Sequence, residues 1–344
     1  MANTDTLVAI LEDLRASVSA NKSGSVIIEP KASESTPKQL QNAVEPNAAL
    51  DDPPWVDDFE VEQSAEILTL PDPKKELIFL PLSVQSSWMA RRGSPETYIR
   101  KFKSSTIITS QGYTPSGRPI GLPSGLMSRR ILISLITQAT MNQSPVVEVP
   151  SIKQLLGWSG LQMTGRSHKS CQRNLFQMAM MNLDLWFQPN DRKATIYKGH
   201  IFDKIEVTIE QDKQQQFSFI PNEVVFDESF YQTIIKNKAV PYIRDAVMKA
   251  SSPYEHDLIM WLFQRQSSDY LTKPVFLNYF LMQEQFGTNP NENPALFRHR
   301  FKKEIRNVIK KHNREITVGK NGITLHPMKA MVPYRRNTKA RKFY

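Results

Sequence analysis

ALFRHRFKKEIRNVIKKHNREITVGKNGITL, residues 295–325, decides the fold. Phe297, Phe301, Ile305, Val308 and Ile309 recur at three- and four-residue spacing, which predicts one amphipathic helix over 295–312. Two β runs follow, EITVG and GITLH, joined by Gly319-Lys320-Asn321-Gly322. Asn-Gly is the strongest short hairpin signal. Upstream, Ser252-Pro253 opens a helix that runs to about Ser268, VFLNYFLMQEQFG (275–287) predicts a second helix, and TNPNENP is the loop before the third.

The same order stands earlier in the chain. Met127, Ile131, Leu132, Leu135, Ile136 and Ala139 predict a helix after Ser124, which is placed to cap it, and Pro145 ends it. VVEV (146–149) reads as a short strand, and Ser151 caps a short helix, SIKQLLGW. A longer helix runs from about Ser167 to Leu183. LDLWFQ, ATIYKGHIF, KIEVTIEQ and QQFSFI then alternate as hairpin strands. Three helices followed by a β-hairpin is the order of a winged helix, whose third helix is the one usually placed in a DNA major groove. The expectation is an α+β chain of two tandem winged-helix domains, at 77–221 and 222–328, with a basic tail at 329–344.

The charge is split. Residues 1–80 hold 6 Lys+Arg against 15 Asp+Glu, and residues 81–344 hold 38 against 19. The basic part attracts a polyanion with salt-sensitive affinity. Residues 1–76 form an acidic region; a short helix is predicted over 1–18, and 19–75 are too poor in apolar residues to offset their ordering entropy, so disorder is expected there.

On the third helix of the second unit, Arg298, Lys302, Arg306 and Lys310 lie at four-residue spacing and form a slowly turning basic stripe. Lys303, Lys311, His299 and Asn313 widen it, and Lys320 sits on the wing turn. Like charges at i,i+4 repel, so three successive pairs point to an anionic partner. In the first unit the equivalent helix and its approach read TGRSHKSCQRNLFQMAMMNL (164–183). Arg166, His168, Lys169, Gln172 and Arg173 cluster in its N-terminal half, the half that usually meets base edges. Leu175, Met178, Ala179 and Leu183 face the core, and Cys171 reads as a small buried residue. Further bases stand at Arg91, Arg92, Arg100, Lys101 and Lys103.

Other functions find little in the residues. One Cys excludes an internal disulfide, and six His show no HExxH or HxH spacing, so no metal or cofactor is expected. There is no GxxxxGK[ST] and no GxGxxG. Glu255, His256 and Asp257 read as the acidic first turn of a helix rather than as a catalytic group. None of the ten Tyr stands beside a His pair, so a nicking enzyme is a distant alternative. No apolar run approaches the roughly 18 residues of a membrane span. The opening MANTDTLVAILEDLRASV lacks the basic start of a signal peptide, which makes a cytoplasmic location the expectation.

RPIGLPSGLMSRRILISLITQAT (118–140) resembles the opening helix of plasmid replication initiators of the RepA type, where a turn close to LPyG precedes an Arg and an apolar helix. IKQLLGWSGLQMTGRSHKSCQRNLFQM continues the likeness, which extends more weakly over about 77–327, while Ser124 and Ser128 depart from it. The resemblance implies an initiator that is not a nuclease, binds repeated duplex sites at a plasmid origin, helps open them, and recruits host initiator and helicase proteins. It implies DNA contacts through Arg166, His168, Lys169, Gln172 and Arg173 in the first unit and through Arg298, Lys302, Lys303, Arg306 and Lys310 in the second, with Lys320 on the wing. A transcriptional regulator on the same scaffold is the alternative, and a homodimer is an assembly the reading leaves open.

Overall fold

The computed structural model describes residues 25–28, 77–81, 89–93, 95–101, 105–114, 116–190, 193–211, 217–236, 239–266, 271–287 and 292–328. The helix expected over 1–18, most of the acidic region and the tail 329–344 lie outside the described residues. The chain is mixed α+β. Its elements run β1 (Ser25–Ile28), β2 (Leu77–Pro81), β3 (Thr97–Lys101), β4 (Ser105–Ser110), α1 (Gly125–Asn142), β5 (Val146–Glu148), α2 (Ile152–Trp158), α3 (Gly165–Met180), β6 (Asn182–Asn190), β7 (Lys193–His200), β8 (Phe202–Gln211) and β9 (Phe217–Phe226). A short helix α4 (Glu228–Phe230) passes into a π-helical turn, Tyr231–Ile235. Then come β10 (Ala239–Ile243), α5 (Arg244–Met248), α6 (Pro253–Gln266), β11 (Val275–Asn278), α7 (Tyr279–Phe286), α8 (Pro294–His312), β12 (Ile316–Val318) and β13 (Gly322–Leu325).

Two units share one plan. In the first, β5 separates α1 from α2 and pairs with β9, which also pairs with β8. In the second, β11 separates α6 from α7 and pairs with β13, which also pairs with β12. The first unit has an additional hairpin, β6–β7, inserted after its third helix and extended by β4 and β3. Helix α1 is buried from Ser128 to Thr137 because apolar residues occupy nearly every side of it. Its buried hydroxyls are satisfied locally: Ser134 donates to the Arg130 carbonyl at 2.7 Å and Thr137 to that of Ile133 at 2.7 Å.

Four sequence expectations change. The helix expected over 275–287 is a strand followed by a helix. Asn278 divides them, its side chain accepting from the Leu281 N–H at 2.8 Å, and Val275-Phe276-Leu277 has the β-favouring character to pair with β13. Ser25–Ile28, inside the stretch expected to be disordered, pairs antiparallel with β8; Val26, Ile27 and Ile28 are β-branched. The boundary expected at 221/222 falls inside β9, and β2 pairs with β10 beyond it. Ser124 is the N-cap of α1 but makes no side-chain cap; its carbonyl accepts from the Ser128 hydroxyl at 2.7 Å instead.

A buried ionic junction joins the units. Asp257 accepts from Arg91 Nε at 3.0 Å and from Arg129 Nε at 2.8 Å. Arg100 donates to the Gly287 carbonyl at 2.6 Å, and Arg130 to the carbonyls of Met248 and Ala250. Glu255 stands in the first turn of α6 as expected, and Glu255, His256 and Asp257 are all buried there. Arg91 and Arg100 likewise serve this junction rather than an outer surface.

Candidate nucleic-acid interface

Helix α8 begins at Asn293, whose side chain accepts from the Ala295 N–H at 2.8 Å, with Pro294 in the first turn. It ends at Asn313, in the left-handed region at φ 48°. Phe297, Phe301, Ile305 and Val308 are buried, and that fixes the phase of the opposite face. Arg298, Lys303, Arg306 and Lys310 line that outer side, and Lys302 is half-buried at its edge. Arg298 and Lys302 lie over the Tyr279 ring, at 5.8 Å and 5.2 Å from its centroid. Tyr279 donates to the Gly319 carbonyl at 2.9 Å, and its N–H donates to that of Asn321 at 3.1 Å. One residue thus ties the start of α7 and the basic stripe to the hairpin turn that carries exposed Lys320. Burial raises the Tyr279 hydroxyl above its ordinary value, with Arg306 and Arg298 opposing, so it stays a donor at neutral pH.

Two basic residues of the same helix are engaged elsewhere. Lys311 donates to Glu255 at 2.8 Å and to the Lys249 carbonyl at 2.7 Å. Arg300 pairs with Glu292 at 3.0 Å.

Helix α3 starts at Gly165, two residues before the expected Ser167, with Thr164 as its cap. Thr164 and Ser167 form a reciprocal capping box, Thr164 Oγ1 accepting from the Ser167 N–H at 3.1 Å and the Thr164 N–H reaching Ser167 Oγ at 2.8 Å. Cys171, Leu175, Met178 and Ala179 are buried as their spacing requires. Burial pushes the Cys171 thiol up to about 12, so it is not a reactive thiolate. Arg166 and Lys169 lie on the outer side with the half-buried His168 and Arg173. Burial and then Lys169 pull the His168 imidazole below its ordinary value, which leaves it neutral at pH 7.

Gln172 is a correction: it is 1% exposed and cannot meet base edges. It follows Cys171 and precedes Leu175 by three positions, so the phase that buries those residues turns it inward too. Asn174 is also inward, where the Ser128 hydroxyl donates to its Oδ1. The outward set on α3 is therefore Arg166, His168, Lys169 and Arg173. Sequence reasoning misses the position of Tyr279 under the stripe, because the stretch around it reads as continuous helix. Among the described residues, no group of three or more His, Cys, Asp or Glu side chains could hold a metal, and no helix is long and apolar enough to cross a membrane.

Compared with known proteins, the chain matches no family model, and no curated protein is similar to it in sequence. Among solved structures it is similar to a crystal structure of domains 2 and 3 of RctB, a chromosome replication initiator of Vibrio, with a TM-score of 0.48 at 11% identity over 74% of this chain and 93% of that one. A second crystal structure of the same RctB domains gives a TM-score of 0.40 at 12% identity over 64% of this chain and 80% of that one.

Proposed function

We propose that this chain is a replication initiator that binds duplex DNA through two winged-helix units and acts by binding and opening DNA rather than by catalysis. The observation that carries the reading is the repeated unit. Apart from the β6–β7 hairpin inserted in the first, each copy has the order helix, strand, helix, helix, strand, strand, with its first strand paired to its last, and each presents basic side chains on the outward face of its third helix. A third helix of that kind enters a major groove while its flanks meet phosphates. Arg166, Lys169 and Arg173 serve the first unit; Arg298, Lys302, Lys303, Arg306, Lys310 and Lys320 serve the second.

The step from DNA binding to origin binding rests on the resemblance of 118–140 to plasmid initiators. Repeated sites, duplex opening, and recruitment of host initiator and helicase proteins belong to the same proposal. The test is to clone the gene with its flanking DNA into a circle that lacks another origin. Autonomous replication that is lost when Arg298 and Arg306 become Gln supports the proposal. Binding to the flanking DNA without replication, and without opening of that DNA by the purified protein, would make the chain a regulator instead.

A further inference from the structure

Strand β11 carries a ring on the side of its sheet that the core does not use. In the register, Phe276 faces Thr324, which faces Thr317. Thr317 Oγ1 in turn lies 2.9 Å from His326 Nε2, so the rest of that face is polar. The apolar side of the same sheet is the other one, where Ile323 and Leu325 are buried. Phe276 is 58% exposed and Phe280, which follows Tyr279 on α7, is 68% exposed. Neither ring is needed to close the core.

The place of Phe276 is specific. A Cβ at Gly322 would come within 2.7 Å of its ring and 2.2 Å of the Leu277 carbonyl oxygen, so only glycine fits where this ring crosses the foot of the hairpin. The turn above it carries Lys320 and is held to Tyr279 through Gly319 and Asn321. Arg298 and Lys302 cover the Tyr279 ring from α8. Residues 295–328 hold 9 Lys+Arg against 2 Asp+Glu. Two exposed flat rings and a row of outward cations on one set of elements, α7, α8 and the β11–β13 sheet, fit a polyanion that also offers flat apolar faces, which is a nucleic acid with a base out of its stack.

We propose that Phe276 and Phe280 stack on bases unstacked from the duplex while Arg298 and Lys302 hold the neighbouring phosphates. The proposal rests on the DNA-binding reading and deepens it: the second unit would distort the duplex as well as hold it. Such side chains kink or open a step in exchange for wider contact.

The experiment uses the full chain and a short duplex bearing 2-aminopurine, at low salt. Binding, followed by anisotropy, should be accompanied by a severalfold rise in 2-aminopurine emission. The variant carrying Phe276→Ala and Phe280→Ala, compared at a protein concentration that saturates the duplex by anisotropy, should lose that rise. Phe276→Trp, which keeps a ring, should keep the rise and show quenched indole emission on binding. Three results would overturn the stacking proposal and leave DNA binding intact: wild-type binding with no rise, an undiminished rise in the double Ala variant, or indole emission in Phe276→Trp that DNA does not quench. Absence of any salt-dependent duplex binding by wild type would overturn both.

Discussion

Arg129 donates to Asp257 twice, from Nε to Oδ1 at 2.8 Å and from a terminal nitrogen to Oδ2 at 3.2 Å, with the two side chains only 7% and 1% exposed. Arg91 adds a third bond at 3.0 Å. Burial alone would raise the Asp257 carboxyl; Arg129 and Arg91 together hold it below its ordinary value. The carboxylate is therefore the counter-ion of two buried guanidinium groups, and it joins α1 of the first unit to α6 of the second. Replacing Asp257 with Asn keeps the shape and strands two cations. The expected loss is about 3–5 kcal/mol in urea unfolding, because a buried charge without its partner is far costlier than a missing pair. A loss below about 1 kcal/mol, typical of an exposed pair, would show that the junction is solvated.

His256 predicts acid sensitivity in a separate window. Burial pushes its imidazole down to about 4, with Asp257 opposing and Arg129 adding to the fall, and neither ring nitrogen meets a hydrogen-bond partner among the described residues. In the unfolded chain the same ring takes its proton near pH ~6.5. The unfolded state thus binds the proton first, and stability falls as pH drops from about 6.5 to about 4, by roughly 3 kcal/mol. His256→Phe should flatten this part of the melting temperature against pH. The Asp257 contribution is present at neutral pH and is lost only as pH falls through its depressed value, so the two windows are distinct. An unchanged profile in His256→Phe would place the acid sensitivity elsewhere.

The parts that sequence makes legible are those set by period and punctuation. The buried faces of α3 and α8 follow from Leu175, Met178, Phe297, Phe301 and Ile305, and the hairpin at 319–322 follows from Asn-Gly. What stays hidden depends on contacts between distant residues. Arg91 and Arg100 look like surface bases until 257, 285 and 287 are brought to them. Phe276 sits in an apolar run that suits a helix, and only pairing with β13 makes it a strand. Gln172 misleads because its chemistry suits adenine, although helix phase already turns it toward the side of Cys171 and Leu175.

Changing Arg298, Lys302, Arg306 and Lys310 to Gln keeps helix propensity and removes charge. If each meets a phosphate, the slope of log affinity against log salt should fall by roughly 0.9 for each phosphate no longer neutralised. Lys311→Gln is the control. Its ammonium is held by Glu255 and the Lys249 carbonyl, so it should lower stability and leave the slope nearly unchanged. An unchanged slope in the fourfold variant would mean the stripe is a solvated helix face.

Arg173 and Gln172 separate reading from folding on α3. Arg173 is half-buried on the outward flank, within reach of the surface that Arg166 and Lys169 share, whereas Gln172 is sealed inside. Base-edge contacts discriminate by about 1–3 kcal/mol per good bidentate pair, while phosphate contacts carry no sequence information directly. Arg173→Ala should therefore weaken binding to a flanking-DNA repeat more than binding to a scrambled duplex at the same ionic strength. Gln172→Ala should leave the ratio of the two affinities unchanged and lower the unfolding free energy, since truncation of a buried polar side chain removes packing and leaves its neighbours unsatisfied. The check is two titrations and one urea curve for each variant. Equal losses on both duplexes for Arg173→Ala would assign this helix to the backbone and move base reading to α8 or to a hairpin. A changed affinity ratio in Gln172→Ala without loss of stability would mean that α3 rotates on binding to bring that side chain out.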